Sequence, residues 1–276
     1  MTRRKLFIWQ KRARPPWFEA NEARLRQLAG PKLAIIVEGK TTVLEVCGEH
    51  AVVERLRVFA GNVEQLPDDW FERVQRLAQT PPVRIGRRLV ISNERSSAST
   101  RVATLIIPAG AAFGTGAHAT TAMSLRLLEQ FSRKLSSGWR MLDLGTGSGI
   151  LALAAKRFGG GEVVAIDSDP LAIRTAKANA CANGIRGVEF RNTDVRTSLP
   201  RGAFEIICAN LYSELLIKIL PHLVPALAPG GVVILSGVLR TQEREVRLTL
   251  EAAGLRQLVS RRRGKWVAIA ARKDHC

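Results

Sequence analysis

The chain has 276 residues, 46% of them hydrophobic, and carries 42 Lys and Arg against 24 Asp and Glu for a net charge of +18. That apolar content excludes a wholly disordered polymer, and the lack of any apolar run of about 18 residues excludes a transmembrane helix. Cys47, Cys181, Cys208 and Cys276 form no CxxC pair and have no matching His cluster, which argues against a zinc site or a disulfide framework and for a reducing compartment.

The positive charge gathers in two clusters, Arg3, Arg4, Lys5, Lys11, Arg12 and Arg14 at the start and Arg261, Arg262, Arg263 and Lys265 near the end. Solvated charge is the simplest reading of both, and contact with RNA is the functional one. Leu6-Phe-Ile-Trp9 is the only apolar run near the N-terminus and is too short for a secretory core, so a cytoplasmic location is expected.

Taken in order, Leu6–Trp9 reads as a strand and Phe18–Leu28 as a helix stopped by Gly30-Pro31. Lys32–Val37 and Thr41–Val46 read as a hairpin, His50–Phe59 returns to helical spacing, and Gly61–Leu66 reads as a last strand. This β-α-β-β-α-β order predicts a small ferredoxin-like α+β domain over residues 1–66. Residues 67–79 follow as a linker helix with Trp70, Val74 and Leu77 on one face, ended by Pro81-Pro82. Val83–Ile91 reads as strand, Ser92–Thr100 as a polar loop and Arg101–Ile107 as another strand. The stretch from Pro108 to Ala122 is poor in bulk except for Phe113 and His118, the composition of a segment that covers a ligand. Thr120 or Thr121 would cap the helix over Met123–Phe131.

Residues 80–276 then alternate strand and helix, predicting an α/β domain with a largely parallel sheet. Its densest motif is Met141-Leu-Asp-Leu-Gly-Thr-Gly-Ser-Gly-Ile150: a strand, a glycine turn through Gly145 and Gly147, and a helix N-terminus. A second apolar run ends in Asp167, an acid placed to accept both hydroxyls of a ribose. Asp194 closes the third strand and Asn210 the fourth, all on the side where open α/β sheets bind ligands. Because the sixth position of the turn is Ile150, the spacing is GxGxG and departs from the dinucleotide fingerprint. Four polar residues at successive strand ends favour S-adenosylmethionine, with Asp194 toward the adenine edge and Asn210 toward the methionine end or the nucleophile.

Several segments resemble the ribosomal protein L11 methyltransferase family: Gly114-Thr-Gly-Ala-His-Ala-Thr-Thr121, Leu142–Leu151, Ala165-Ile-Asp-Ser-Asp-Pro170, Ala209-Asn-Leu-Tyr-Ser-Glu-Leu215 and Ala228–Gly237. The resemblance runs from about Asp69 to the C-terminus, and residues 1–66 share only the element order. It implies a seven-stranded, Rossmann-like class I methyltransferase domain, preceded by a ferredoxin-like domain that recruits the protein substrate. The activity implied is transfer of methyl groups to lysine ε-amines and a terminal α-amine of ribosomal protein L11. By motif position it makes Thr121, Gly145, Asp167 and Asn210 cofactor contacts, to which Gly147, Asp194, Phe113 and Thr120 are added as neighbours.

No dedicated general base stands out, so Asn210 is expected to align the amine and His118 to remove its proton. Phe113 and Tyr212 would wall the channel. Two other functions compete. A methyltransferase of ribosomal RNA is the first, although Leu211-Tyr212 follows Asn210 where base-amine enzymes carry Pro-Pro-aromatic. A catalytically idle cofactor-binding or RNA-binding protein is the second. No metal is expected, and a monomer is the expected state.

Overall fold

The computed structural model describes residues 6–29, 33–38, 41–67, 81–94, 102–108 and 118–273. The chain divides into two units, Met1–Gln79 and Thr80–Cys276. The helix expected over 67–79 lies outside the described residues apart from Pro67, as do residues 95–101 and 109–117.

In the first unit, alternation along Phe-Ile-Trp-Gln-Lys-Arg-Ala turns Trp9 and Ala13 inward on β1 (Phe7–Ala13). A helix (Pro15–Ala29), β2 (Leu33–Glu38), β3 (Thr41–Gly48), a short helix (His50–Glu54) running on as a 3-10 turn (Arg55–Phe59), and β4 (Asn62–Gln65) follow. The strands pair antiparallel in the order β2-β3-β1-β4, the ferredoxin-like arrangement. Leu25, Val53, Leu56 and Phe59 from the helical segments pack on Trp9, Leu44 and Val46 of the sheet. Each fully buried aliphatic side chain contributes roughly 2 kcal/mol to that core.

The second unit opens with a three-stranded sheet of β5 (Val83–Ile85), β6 (Leu89–Ser92) and β7 (Ala103–Ile106). The single strand expected over Val83–Ile91 is thus a hairpin. It turns at Gly86, whose φ of 54° suits glycine and whose missing Cβ leaves room for the carboxylate of Glu129.

Seven strands make the main sheet: β8 (Met141–Leu144), β9 (Val163–Asp167), β10 (Val188–Asn192), β11 (Phe204–Asn210), β12 (Leu227–Leu239), β13 (Leu255–Arg263) and β14 (Trp266–Lys273). Their order is β10-β9-β8-β11-β12-β14-β13, parallel from β10 to β12, with β14 inserted antiparallel between β12 and β13. Successive residues of each strand serve opposite faces. Met141, Ala165, Ile206 and Ile234 meet the helices Ala119–Ser132 and Ile150–Arg157 on one side. Leu142, Val164, Ile207 and Val233 meet the helices Ser213–Leu223 and Glu243–Ala252 on the other. A further helix, Pro170–Ala182, begins at Asp169, whose side chain accepts the amide of Leu171 at 2.8 Å. Among the described residues, no helix is long and apolar enough to cross a membrane.

The sequence over Glu214–Leu227, followed by Pro229-Gly230-Gly231, reads as one helix closed by that turn, and the structure corrects the reading. The α-helix ends at Leu223, a 3-10 turn covers Val224–Ala226, and Leu227 already begins β12, which carries Pro229-Gly-Gly within it. Gly231 is required there by close approach: a Cβ would lie 2.8 Å from the Ala228 carbonyl oxygen and 2.9 Å from that of Phe204. Gly231→Ala is expected to destabilise the protein by about 1–3 kcal/mol, read as a lower urea midpoint with an unchanged slope.

Candidate active site

Strand order reverses at β8, which pairs with β9 on one edge and β11 on the other, so a crevice opens beyond their carboxyl ends. The loop after β8 is tied down from both sides. The amides of Gly145 and Thr146 donate to the Ile166 carbonyl at 2.9 and 3.0 Å, and Asn179 Nδ2 donates to the Ser148 carbonyl at 2.8 Å. Gly145, Gly147 and Gly149 have φ of 69°, 55° and 82°, a region that only glycine occupies cheaply. A Cβ on Gly149 would come within 2.9 Å of the Ala176 Cβ, and one on Gly145 would collide with the Leu211 side chain.

Gly149 sits at the N-cap of the helix Ile150–Arg157 and has no side chain to cap it. Asp143 supplies the missing acceptor from the strand below. Its Oδ2 accepts the Ala152 amide at 3.2 Å and the Thr146 hydroxyl at 2.7 Å, while its buried Oδ1 has no partner. Complete burial pushes the carboxyl up to about 7, against the lowering effect of the Thr146 and Ala152 hydrogen bonds, and the charge of Asp167 adds to the rise.

Asp167 ends β9 at the crevice, half-buried. Its Oδ2 accepts the Gly147 amide at 2.9 Å and its Oδ1 the Asp169 amide at 3.0 Å, which orients the carboxylate and leaves further acceptor capacity on both oxygens. Asp194, beyond β10, is held by its neighbour Arg196. Nε lies 3.0 Å from each carboxylate oxygen, Nη2 lies 2.6 Å from Oδ2, and the Arg196 amide donates to Oδ1 at 2.9 Å. The Arg196 side-chain hydrogen bonds, followed by its backbone bond, hold the Asp194 carboxyl down at about 2.

The opposite wall comes from the start of the helix Ala119–Ser132 and from β11, β12 and β14. Asn210 Nδ2 donates to Thr121 Oγ1 at 3.4 Å, and Ser236 Oγ donates to the Thr120 carbonyl at 3.2 Å. His118 Nδ1 is 2.8 Å from Thr120 Oγ1, and its ring meets that of Trp266 edge-on at 5.5 Å. Lys265 Nζ stands 5.2 Å from the same Trp266 ring. Burial, and then the Lys265 charge, lower the His118 pKa below its ordinary 6.5, so the imidazole is neutral at pH 7.

These residues enclose about 490 Å³, within the usual range for a small-molecule site. His118, Thr120, Gly145, Gly147, Asp167, Asp194 and Asn210 line it, and Thr121 joins through Asn210. Phe113 lies outside the described residues. The expected cap at Thr120 or Thr121 is corrected: the helix starts at Ala119 with His118 at its cap position, and both threonines are buried within the first turn. Sequence reading missed Arg196, Leu215, Gly237 and Trp266, which also line the cavity. Only the insertion of β14 beside β12 brings Trp266 to His118, whereas Arg196 carried a readable local signal, a cation two residues after an acid in a turn. No cluster of three potential metal ligands occurs among the described residues.

Glycine loop, acid-tipped second strand and reversed seventh strand together define a class I methyltransferase architecture. The family model described as ribosomal protein L11 methyltransferase (PrmA) matches residues 16–274, and the chain belongs to that family. It is 41% identical over 208 residues to a ribosomal protein L11 methyltransferase of Pelotomaculum thermopropionicum, covering 74% of this chain and 66% of that relative. A Thermus thermophilus relative of the same name is 42% identical over 166 residues, covering 60% and 63%. The chain thus matches slightly under two thirds of the length of these relatives. A crystal structure of a ribosomal protein L11 methylase from Lactobacillus delbrueckii subsp. bulgaricus superposes with a TM-score of 0.64 at 29% identity, covering 70% of this chain and 99% of that one.

The raised Asp143 pKa carries a sign. Between the unfolded value near 3.8 and the folded value of about 7 the native state holds a proton that the unfolded state has lost, so stability falls as pH rises through that window. Asp143→Asn removes this dependence. Its stability relative to the parent chain is expected to improve by up to about 3 kcal/mol between about pH 5 and about pH 8, measured by urea unfolding at each pH.

Proposed function

We propose that the protein binds S-adenosylmethionine in this cavity and methylates amines of ribosomal protein L11. One observation carries the reading: the Asp167 carboxylate and the Asn210–Thr121 pair face the same cavity, joined by a glycine turn with no Cβ atoms to obstruct a ligand. The donor set fits a nucleoside at one end and a neutral nitrogen at the other. Asp167 would take the ribose hydroxyls, the backbone at Gly145 and Gly147 the adjoining chain, and Asp194 the adenine edge. Thr120 would contribute to the wall and Thr121 would act through Asn210, and Phe113 belongs to the sequence segment that precedes them. Bound there, S-adenosylmethionine supplies a sulfonium-linked methyl group already activated for transfer to a neutral amine.

The protein's own contribution is orientation and dehydration. Asn210 spends its Nδ2–H on Thr121, which leaves its carbonyl oxygen to accept an N–H of the incoming amine and aim the lone pair. Neutral His118, fixed by Thr120 and Trp266, is the nearby group able to take up the proton that the alkylated nitrogen releases. Amine rather than carboxyl or thiol chemistry is favoured because, among the described residues, this end of the cavity presents an amide and an imidazole and no carboxylate. Among the described residues, those lining the cavity belong to the second unit. To the ferredoxin-like unit we assign the recruitment of the protein substrate, with residues 67–79 as the connection.

Labelled S-adenosylmethionine incubated with purified L11, bare ribosomal RNA and whole ribosomes should label L11 on lysine or terminal amine nitrogens. Label in RNA alone would overturn the assignment. Asp167→Ala is expected to weaken S-adenosylhomocysteine binding by roughly ten- to a hundredfold, read by calorimetry, from the loss of hydrogen bonds to a charged acceptor. For Asn210→Ala, turnover should fall about a hundredfold and by more than cofactor affinity does. Full turnover with normal binding would remove Asn210 from the mechanism. The downward His118 shift places any acid limb due to this residue below pH 6.5, and His118→Gln should abolish that limb in a pH–rate profile.

A further inference from the structure

The excess positive charge is not spread evenly over the second unit. On the face holding the helices Ser213–Leu223 and Glu243–Ala252, cations and acids interleave. Arg262 is paired with Glu243 at 2.8 Å and Arg247 lies 3.9 Å from Glu251, while Glu214 and Glu245 stand among Lys218 and Arg244. The other face differs. Along the helix Ala119–Ser132, the β5–β6 turn at 86–88 and the strand β13, the sole carboxylate is Glu129, and it is buried with Arg133 at 3.5 Å.

A row of cations occupies this face. Arg263 stands at the β13–β14 turn opposite Trp266, at the cavity mouth. Arg126 follows at the middle of the helix and Arg261 beside Gln130, nearer its end. Arg87, Arg133 and Lys134 lie at its far end, where Arg88 fixes the β5–β6 turn by donating to Ser132 Oγ at 3.1 Å. The side chains of Arg87, Lys134 and Arg263 are exposed and make no hydrogen bond or ion pair with the described residues. Arg126 is half-buried and equally without one. Arg261 donates Nη2 to Gln130 Oε1 at 2.7 Å, yet its buried Nε has no acceptor.

Half-buried guanidinium groups without a counter-charge cost free energy unless an anion completes them. The helix has 14 residues, so the row of cations extends roughly 20 Å, the span of about six phosphates of a nucleic-acid strand. We propose that this face is an RNA-binding track that holds a phosphate backbone from the far end of the helix up to the mouth of the cavity. The inference goes beyond the methyl-transfer reading and does not depend on it: the track contains none of the residues that line the cavity. It places an RNA strand beside the point at which a protein side chain would enter.

Binding of single-stranded and duplex RNA oligonucleotides to the full chain, followed by fluorescence anisotropy across a salt series, tests the proposal. The expected slope of log affinity against log salt is about −4 for single strands, from about six neutralised phosphates. Combined Arg87→Glu, Lys134→Glu and Arg263→Glu should lower affinity at least about tenfold and flatten that slope by about 2. An equal charge change at Arg174→Glu, Lys177→Glu and Arg186→Glu should have a much smaller effect, since these exposed residues lie on the helix Pro170–Ala182 and the loop after it. Should the glutamate version fail to melt cooperatively, the same three sites as glutamines carry the test. Three results would each overturn the proposal: no RNA binding even at low salt, an equal loss in both triple variants, or competition by polyglutamate as effective as competition by RNA.

Discussion

Strand β8 is gripped by β9 on one edge and β11 on the other, and the helices that follow it and β11 lie on opposite faces of the sheet. Neither helix can cover the ends of both strands, so a crevice has to open where the two connections part. Every polar group of the site owes its place to that parting. The glycine turn leaves β8, Asp167 ends β9 and Asn210 ends β11, each pinned by a parallel ladder whose register admits no slip without moving a buried side chain to the wrong face.

Three carboxylates near the crevice show how environment divides labour among identical groups. Asp143, buried and half-satisfied, is pushed to about 7 and serves as the cap that the glycine at the helix start cannot provide. Asp194 is pulled to about 2 by Arg196, which fixes it as an ionised acceptor at the rim. Asp167 is oriented by two backbone amides and able to accept more. The Asp167 carboxylate is thus already aimed by the backbone, so a ligand that used it would find it in place with little reorganisation.

Net charge is a poor guide to partners until it is mapped. At +18 the chain has no general attraction for a basic protein, yet the charge is interleaved with acids on one face of the second unit and met on the other, along the helix Ala119–Ser132, by the buried Glu129 alone. Under the proposed function a protein substrate would be selected by local contacts, the task proposed for the first unit, while the cationic face of the second unit suits a polyanion.

By itself the sequence determined the ferredoxin-like element order, the alternation that makes a parallel sheet, and the ends of the strands at Gly145, Asp167, Asp194 and Asn210. Periodicity and glycine spacing are local properties, and the family resemblance rested on the same short segments. What only the tertiary structure decided depends on residues distant in sequence. Pro229-Gly-Gly reads as a helix stop, but the close approach of the Ala228 and Phe204 carbonyls draws it into β12. Trp266 became a wall of the cavity because β14 inserts antiparallel beside β12 and meets His118 there. Asp143 looked like one more strand residue until burial and an uncapped helix gave it a purpose. Pairing between strands and the desolvation it brings are non-local, and no window of sequence contains them.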